Sequence, residues 1–311
     1  MTVYKRIWLR RALPVVLGLL LGLCVLLAGA GYFLLYVSPV PQTSDYPLDL
    51  EQVRALARSG AGELPVALNA AVIAEGSYPQ IVVVAGGSFS PQRMIMPVYQ
   101  VVYPDGAILV DAALSEAAFR QAFGGQPFDA AQYADMQQAL RSSKLILATH
   151  EHFDHLGGLA ASPYLDEISP RVLLTREQIE HADPQVGFPP GALGRFKPLG
   201  YDRYYLAAPG VVLIKAPGHT PGSQMVYVAL QNGTEFLLVG DVVWNGLNLD
   251  RLTGRSLLAR LMLGEDETVV GAQIRRLAEL EKSSPLKLVI SHDAQRLEQL
   301  TAAGLVGIGL R

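Results

Sequence analysis

The chain contains 311 residues, a length that suits one sizeable hydrophobic core or two small ones. Its formal net charge is −3, and no Lys- or Arg-rich run occurs beyond the N-terminal segment, so nucleic acid is not expected as a partner. Cys24 is the only cysteine, which excludes an internal disulfide.

The first predicted element is a membrane-spanning helix at residues 12–37. This apolar stretch is 26 residues long, and about 20 suffice to cross a bilayer. Four cations precede it and the first acid, Asp45, follows it, so residues 1–11 are expected to be cytoplasmic and the body to lie outside in a single-pass protein. The alternative is a signal peptide cleaved after residues 28–30, which would give a secreted protein. The apolar run continues past that site, which favours an uncleaved anchor. The four cations are Lys5, Arg6, Arg10 and Arg11.

The body that follows the anchor is acidic. Beyond residue 44 lie all 28 acidic residues and 21 of the 25 basic ones, a net charge of −7. An acidic surface is not attracted to an anionic leaflet. The membrane is therefore expected to be a partner through the N-terminal helix alone.

Predicted strands and helices alternate after the anchor. Residues 38–64 form a Pro- and Ser-bearing linker that contains a short helix, EQVRALARSG. The run IVVVAGG, which begins at Ile81, predicts a buried strand. Two β-branched runs joined by Pro104-Asp105-Gly106 predict a hairpin. The stretches SEAAFRQAF and DAAQYADMQQALRSS predict two helices, the second capped by Asp129.

Predicted strands and helices also alternate in the second half of the chain. The runs KLILATH, RVLLT, GVVLIKAPGHT and LKLVISHD predict strands, and Asn232-Gly233 predicts a hairpin. The stretches REQIEHAD, EDETVVGAQIRRLAELEKSS and AQRLEQLTAAG predict helices. Hairpins mixed with helices predict an α/β (α+β) fold of two sheets with helices outside, in one domain over residues 65–311.

Four residues with metal-binding side chains each come just after an apolar run. Strand ends are positions from which a scaffold aims several side chains at one point. Random placement would scatter these residues among helices and loops, so their recurrence at strand ends indicates a shared site. The four residues are His150, His219, Asp241 and His292.

The stretch THEHFDHLGG, around the first of these residues, is the strongest metal signal. His150 and His152 are two residues apart, so an extended segment points both to the same side. With His219 they make a three-nitrogen site, which suits zinc. A second site of mixed nitrogen and oxygen ligands is available to the chain. It would use Asp154, His155 and His292, with the two oxygens of Asp241 bridging both ions.

Other polar residues near these motifs have less specific interpretations. Asp111, at the end of AILVD, either orients a ligand imidazole through its free N–H or caps the strand end. Glu151 is expected to face solvent or to support a ligand. His181 lies in a polar helix and is expected to be solvated. Asp105 is expected to be a turn residue.

These motifs resemble the metallo-β-lactamase superfamily. THEHFDHLGG matches its H-x-H-x-D-H signature, and APGHTPGS, VGDVVW and VISHD match its later ligand motifs in order, over roughly residues 80–295. The resemblance implies an αββα sandwich, here preceded by one transmembrane helix. It places His150, His152 and His219 on one metal. It places Asp154, His155 and His292 on the other, with Asp241 bridging and Asp111 as the first-motif aspartate.

Departures from particular subfamilies narrow the resemblance. The antibiotic-hydrolysing zinc enzymes that use a cysteine ligand are disfavoured because Cys24 lies in the predicted anchor, and Asp241 disfavours groups that lack a bridging carboxylate. The flavin-linked di-iron members carry glutamate where His152 stands. The remaining motifs are similar to those of the glyoxalase II and quorum-quenching lactonase groups.

The resemblance implies a dinuclear hydrolase, with zinc as the expected metal, in which a bridging hydroxide cleaves a small-molecule ester, lactone or thioester. Asp154 would move a proton, and Asp241 would bridge the two ions. The alternatives are a phosphodiesterase or sulfatase on the same core, favoured by a cation-rich pocket, and a non-catalytic membrane-tethered binding module. The stretch 244–264 is either a lid or a helix whose leucines pack on the core, and the sequence favours packing. The apolar residues concerned are Leu257, Leu258, Leu261 and Met262.

Overall fold

The structure is a computed structural model that describes residues 3–311, with side chains from residue 13 onward. It begins with a 34-residue helix, α1 (Val3–Tyr36). Within α1, the segment Leu13–Tyr36 is long and apolar enough to span a membrane and has no buried residues, a description that also fits a signal sequence near an N-terminus. The predicted cytoplasmic tail, residues 1–11, falls outside the part whose side chains are described.

The first sheet has six strands in the order β11-β1-β2-β3-β4-β5. The three strands β1, β2 and β3 form an antiparallel meander, and β4 and β5 continue the sheet in parallel with β3. The β2–β3 turn at residues 104–106 confirms the predicted hairpin. The strands are β1 (Ala67–Pro79), β2 (Pro91–Tyr103), β3 (Gly106–Val110), β4 (Leu145–Leu147), β5 (Val172–Leu173) and β11 (Gly307–Ile308).

The second sheet has five strands in the order β10-β9-β8-β7-β6. Its central strands are antiparallel, with the predicted hairpin at Asn232-Gly233 joining β8 and β9, and β10 is parallel to β9. The strands β7, β9 and β10 therefore run in the same direction. The strands are β6 (Tyr204–Ala208), β7 (Val211–Lys215), β8 (Gln224–Ala229), β9 (Glu235–Leu238) and β10 (Lys287–Val289).

Three hydrophobic clusters build four layers. The central cluster joins the facing sides of the sheets, with Tyr99 and Val110 from the first sheet and Val226 and Leu238 from the second. The outer clusters join each sheet to its own helices. The predicted αββα sandwich is thus confirmed. The helices after α1 are α2 (Leu50–Ser59), α3 (Gln80–Val83), α4 (Glu116–Phe123), α5 (Ala130–Ser142), α6 (Phe153–Ala160), α7 (Leu165–Ile168), α8 (Arg176–Glu180), α9 (Gly246–Arg251), α10 (Leu257–Leu263), α11 (Glu267–Ser283) and α12 (Ala294–Ala302).

The prediction of a strand at Ile81 is wrong. Residues 80–83 form the short helix α3, and the first strand lies earlier, at β1. The long β1–β2 pairing uses residues 67–79 and 91–103, so the IVVV run falls in the connection between them. There Val83 and Val84 form a small separate cluster with Met94. Long-range pairing has overridden the local β-propensity.

The predicted linker, residues 38–64, is packed on the second sheet and its helices. Leu48, Val53 and Ala57 are buried in the outer cluster of that sheet. The hydroxyl of Ser44 donates to the carbonyl of Ala272 on α11 at 2.6 Å. The segment therefore belongs to the folded body and is not a free tether.

An ion pair fixes α2 to the second sheet and provides a test of this packing. Arg54 donates two hydrogen bonds to Glu235 on β9, at 2.9 and 2.5 Å, and Tyr227 donates a third at 2.7 Å. Burial by itself raises the pKa of the Glu235 carboxyl, but these hydrogen bonds outweigh it and hold the pKa below its ordinary value. The carboxylate thus stabilises the folded chain.

We expect Glu235→Gln to lower the free energy of unfolding by about 1–3 kcal/mol at neutral pH, since hydrogen bonds to a charged group are lost. Because the folded-state pKa is lowered, this stabilisation is complete above about pH 4.3, the ordinary pKa of glutamate, and is lost as the pH falls through the lowered value. Urea titrations at several pH values measure it. Glu51→Gln is the matched control, since Glu51 pairs with the same Arg54 but is 81% exposed. Equal effects of both variants would contradict the packing of α2.

Candidate metal centre

The strand ends that the sequence singled out converge at one edge of the sandwich. In the first sheet β3 and β4 are parallel, and their carboxyl ends lead to Asp111 and to the 149–155 stretch. In the second sheet β7, β9 and β10 lead to His219, Asp241 and His292. Ligand atoms of all seven predicted residues fall into two adjacent groups. One contains His150, His152, His219 and Asp241, and the other contains Asp154, His155 and His292.

The first group presents three imidazole nitrogens to a common point. Nδ1 of His152 lies 3.1 Å from Nε2 of His150 and 3.1 Å from Nε2 of His219. Oδ2 of Asp241 lies 3.5 Å from Nε2 of His219. Zinc–nitrogen bonds of about 2.0–2.1 Å in tetrahedral geometry place ligand nitrogens roughly 3.3–3.4 Å apart. The spacing of the group therefore suits a cation at its centre.

The second group shares the carboxylate of Asp241 with the first. Oδ1 of Asp241 lies 3.3 Å from Nε2 of His155, and its Oδ2 lies 3.1 Å from Nε2 of His292. Oδ2 of Asp154 lies 3.6 Å from the same His292 nitrogen. A single carboxylate is thus in contact with both groups.

Buried atoms without hydrogen-bond partners show that this donor set suits cations. Nε2 of His155 and Oδ1 of Asp241 are both buried and have no such partner among the residues that the structure describes. Buried polar groups in native proteins are nearly always paired, so each exception needs a cause. In the first group, Nδ1 of His152 lies 3.1 Å from one ring nitrogen of each of the other two imidazoles, and a single N–H on His152 cannot satisfy both. Divalent cations would satisfy both groups.

Burial keeps two of the imidazoles in their metal-binding form. It lowers the pKa of His150 well below its ordinary value, and the neighbouring His155 adds to this effect. Burial also lowers the pKa of His152 to about 4, assisted by His219. A neutral imidazole has a lone pair for a metal. Both residues are therefore ready to act as ligands at neutral pH.

The carboxylate between the groups is charged. Burial raises the pKa of Asp241, but the imidazoles of His292 and His155 outweigh burial and hold it well below its ordinary value. Conversely, burial lowers the pKa of His155, while the carboxylates of Asp111 and Asp241 outweigh burial and raise it well above the ordinary value. These carboxylates thus give the second group a negative electrostatic potential, which attracts positive charge.

Asp111 contacts His155, one of the predicted ligands. This agrees with the first of the two interpretations of Asp111 that the sequence allowed. Its Oδ2 lies 2.9 Å from Nδ1 of His155. Its Oδ1 accepts from the Thr149 N–H at 2.7 Å, and Oδ2 also accepts from the Thr149 hydroxyl at 2.9 Å. The same hydroxyl lies 3.1 Å from Nδ1 of His150. Asp111 is 2% exposed and has φ +63°, a left-handed conformation that an aspartate seldom adopts.

Three further contacts orient ligands and were missed by sequence reasoning. Oε2 of Glu265 lies 3.1 Å from Nδ1 of His219, and the buried Arg255 forms an ion pair with Glu265. The indole N–H of Trp244 donates to Oδ2 of Asp241 at 2.6 Å. Nδ1 of His292 lies 2.8 Å from the carbonyl oxygen of Ile95. Only Trp244 had a local signal, its position three residues after Asp241.

The predictions for the remaining polar residues of the motifs are confirmed only in part. Glu151 is 1% exposed, so the solvent-facing interpretation is wrong. Its carboxylate accepts from the Gly222 N–H and from the Thr220 hydroxyl, both at 2.9 Å, and so secures the loop that carries His219. His181 is exposed, as predicted.

The glycine after the histidine cluster serves close packing. Gly158 lies inside α6, and a Cβ there would come within 2.0 Å of the Ala112 carbonyl oxygen. The helix that carries Asp154 and His155 therefore touches the backbone beyond Asp111. Glycine is required here because any side chain would clash with that carbonyl, and not because the backbone has to turn.

A cavity of about 480 Å³ opens beside the two groups. Both apolar and polar side chains line it, and of the described residues that line it none is Arg or Lys. A larger cavity of about 620 Å³ lies against β1 and α12, away from the histidines. The residues lining the first cavity include Tyr78, Met94, Met96, Phe123, Glu151, Phe153, His181, Asp183, Gln185, Trp244, Met262 and Leu263.

The stretch 244–264 folds into the helices α9 and α10. The expectation that its leucines pack on the core is wrong for three residues of α10, since Leu258, Leu261 and Met262 are 40%, 66% and 81% exposed. The buried face of α10 is formed by Ala259 and Arg260. Met262, Leu263 and Gly264 reach the cavity, at its edge.

Comparison with known families agrees with this geometry. The metallo-beta-lactamase superfamily profile matches residues 97–292, a range that contains all seven ligand candidates. An N-acyl homoserine lactonase from a Bacillus species is 25% identical over 154 residues, or 49% of this chain and 56% of that protein. The N-acyl homoserine lactonase AiiA of Bacillus thuringiensis subsp. kurstaki gives the same values. The chain thus spans about half the length of these relatives.

Solved structures share the fold. An N-acyl homoserine lactone hydrolase, solved with the product N-hexanoyl-L-homoserine bound at its catalytic metal center, has a TM-score of 0.60 at 18% identity. The similarity covers 76% of this chain and 96% of that one. A probable metal-dependent hydrolase from Staphylococcus aureus has a TM-score of 0.55 at 13% identity, covering 75% and 91% of the two chains.

Proposed function

Because the chain belongs to the metallo-β-lactamase superfamily and is a metal-dependent hydrolase, we propose that it uses two divalent cations to cleave a carbonyl substrate with an apolar acyl chain. The substrate class is an ester, a lactone or a thioester. His150, His152 and His219 hold one cation, and Asp154, His155 and His292 hold the other. Asp241 contacts both.

Zinc is the proposed metal because of the ligand types. Imidazole nitrogens and carboxylate oxygens are ligands that zinc commonly takes, and its catalytic sites keep one position open. Three of the imidazoles have their other ring nitrogen next to an oxygen of Asp111, Glu265 or Ile95. Such partners fix the ring orientation and the tautomer of metal-binding histidines.

The proposed chemistry divides between the cations and the chain. When bound, a pair of divalent cations would lower the pKa of water to about 7 and would polarise the carbonyl under attack. Asp154 lines the cavity and its side chain is 15% exposed, whereas that of Asp241 is 2% exposed. Asp154 is therefore the carboxylate placed to pass a proton between substrate and solvent. The apolar wall excludes bulk water from the reacting bond.

The observation that carries the substrate proposal is the absence of Arg and Lys among the described residues lining the cavity. A phosphodiester or a sulfate ester keeps a negative charge, which cationic side chains commonly bind in addition to metal ions, and the described lining offers none. Arg255 and Arg260, the nearest candidates, are buried and paired with Glu265 and Glu267. Tyr78, Phe123 and Phe153 instead offer an apolar wall to an acyl chain. The lactonase relatives make N-acyl lactones the first substrates to test.

We expect kcat/KM for N-acyl lactones to rise with acyl length, by up to about fourfold for each methylene buried on the apolar wall. A purified full-length chain of measured metal content, assayed with butyryl, hexanoyl, octanoyl and decanoyl lactones, gives the series. The matched control is an acyl chain of equal length with a terminal carboxylate, which loses the gain. Faster turnover of phosphodiesters would instead support the rival hydrolase. No turnover at full metal content would support a binding module.

The N-terminal helix supports a second part of the proposal, a single-pass membrane anchor. Residues 1–11 remain in the cytoplasm, the helix spans the bilayer, and the catalytic body lies on the outer side, where residues 38–64 join it. The apolar segment Leu13–Tyr36 and the cations before it support this orientation. The competing signal-peptide interpretation leaves a mature chain without the segment, which its mass would reveal.

A further inference from the structure

An apolar surface patch lies beside the point where α1 meets the body. It consists of Leu258, Leu261 and Met262 on α10 together with Phe89, in the loop after α3, a helix that contacts α10, and we name it the α10 face. These four side chains are 68%, 40%, 66% and 81% exposed. Large apolar side chains grouped on a surface mark a binding site for something apolar.

The end of α1 is joined rigidly to the elements that carry this face. The Gly86 N–H donates to the Leu35 carbonyl at 3.0 Å, and Gly86 is three residues before Phe89. The guanidinium of Arg260, on α10, donates to the Val37 carbonyl at 3.4 Å. The Thr253 hydroxyl donates to the Ser38 carbonyl at 3.1 Å. These three hydrogen bonds hold the body against the end of α1.

The level of the membrane surface along α1 is marked by its aromatic residues. The rings of Tyr32 and Tyr36 stack with centroids 5.3 Å apart, and both side chains are exposed in the last turns of the helix. Exposed tyrosines at the end of a span prefer the interface between lipid and water. The loop before Phe89 bonds to Leu35 in these turns, and α10 packs against α1 and reaches Val37 through Arg260. The α10 face therefore lies at the interface as well.

We propose that the α10 face inserts into the outer leaflet in which α1 is anchored, at the boundary between headgroups and acyl chains. The net charge of −7 on the body argues against adhesion through charge, so apolar contact is the remaining attraction. Met262 belongs both to the face and to the cavity edge, so an acyl chain dissolved in the bilayer meets the cavity without crossing water. The proposal rests on α1 being a retained anchor.

Lipid-dependent fluorescence quenching in the full-length chain tests the proposal without using activity. Single cysteines at Phe89, Leu258 and Leu261, in a Cys24→Ala background, carry an environment-sensitive dye, and the chain is placed in nanodiscs. Nitroxide lipids labelled near the top of the acyl chain should quench all three dyes, since interfacial faces enter about 5–10 Å. Asn232→Cys is the control, because Asn232 lies in the turn between β8 and β9, whereas Asp241 follows the other end of β9, and a dye there should keep its emission.

A dye on the native Cys24 distinguishes two negative results: a chain whose α10 face does not enter the bilayer, and a chain in which α1 is not a retained anchor. Cys24 lies at the middle of the Leu13–Tyr36 span, so its dye is tested with lipids labelled near the end of the acyl chain. Quenching at Cys24 by these lipids, without quenching at the three face positions by the shallow label, overturns the proposal and leaves the anchor standing. No quenching at Cys24, or a mature chain that lacks it, overturns both. Cross-linking between Leu261→Cys copies with no lipid quenching assigns the face to a second copy and also overturns the proposal.

A kinetic comparison links the face to substrate access. Leu261→Glu and Phe89→Glu change residues outside the cavity lining. Both should raise KM for a decanoyl lactone presented in vesicles and leave KM for a soluble butyryl lactone unchanged. Equal KM changes for both substrates, or none for either, would overturn delivery from the bilayer.

Discussion

Asp241→Ala should lose metal from both groups at once and reduce kcat/KM by more than about 100-fold, the upper end of what loss of a supporting residue costs. The reason is that one buried carboxylate touches both groups. Its Oδ1 lies 3.3 Å from His155 Nε2, and its Oδ2 lies 3.1 Å from His292 Nε2 and 3.5 Å from His219 Nε2. Alanine leaves these imidazoles without their shared negative charge.

Metal content and kcat/KM, measured on the same purified samples, test this expectation. Trp244→Phe is the matched comparison, since it removes the 2.6 Å hydrogen bond to Asp241 but keeps the carboxylate. We expect it to cost about 10–100-fold in activity or metal affinity. Full metal content in Asp241→Ala, with turnover within tenfold of the unsubstituted chain, would contradict the proposed ligand set.

The sequence was sufficient to predict the ligand candidates because their signals are local. Each of His150, His219, Asp241 and His292 stands just beyond an apolar run, and parallel strands of one sheet bring such positions to one edge. The grouping of ligand atoms within 4.8 Å of one another is the geometric result. Periodicity and strand ends therefore carried most of the information about the site.

The residues that support the ligands could not be predicted in the same way. Glu265 is 46 residues from His219 in sequence, and nothing near it distinguishes it from the other acids before α11. Its contact exists only because α10 and α11 fold across the end of β7. The burial of Arg255 depends on the same long-range packing, with the guanidinium 4.7 Å from the Trp244 ring.

The fold prediction failed where local propensity and long-range pairing disagree. The strand β1 contains Ala, Asn and Gly and shows no strong alternation, yet it pairs with β2 from Ala67 to Pro79. The more β-prone IVVV run lies in the connection between these strands and becomes helical. Pairing partners decide such cases, and a single sequence does not reveal them.

Asp111→Asn should weaken metal binding by about 10–100-fold while leaving the fold intact. Asparagine tolerates the left-handed φ of +63° at this position, so backbone strain is not the cause. The amide oxygen keeps the bond from the Thr149 N–H, which places the NH₂ group against Nδ1 of His155. His155 then has to accept at Nδ1 and to carry its proton on Nε2, the nitrogen that faces the metal position.

Competition with a chelator measures the metal affinity of this variant, and kcat and KM at saturating metal show whether turnover recovers. Asp129→Asn is the matched control, because Asp129 caps α5 away from the metal centre and asparagine caps a helix equally well. A purely structural role for Asp111 as a strand-end cap predicts lower stability with unchanged metal affinity. Recovery of kcat at high metal, with KM unchanged, is the result expected of a residue that positions His155. Metal affinity equal to that of Asp129→Asn would contradict that role, because the carboxylate would then serve only the Thr149 backbone.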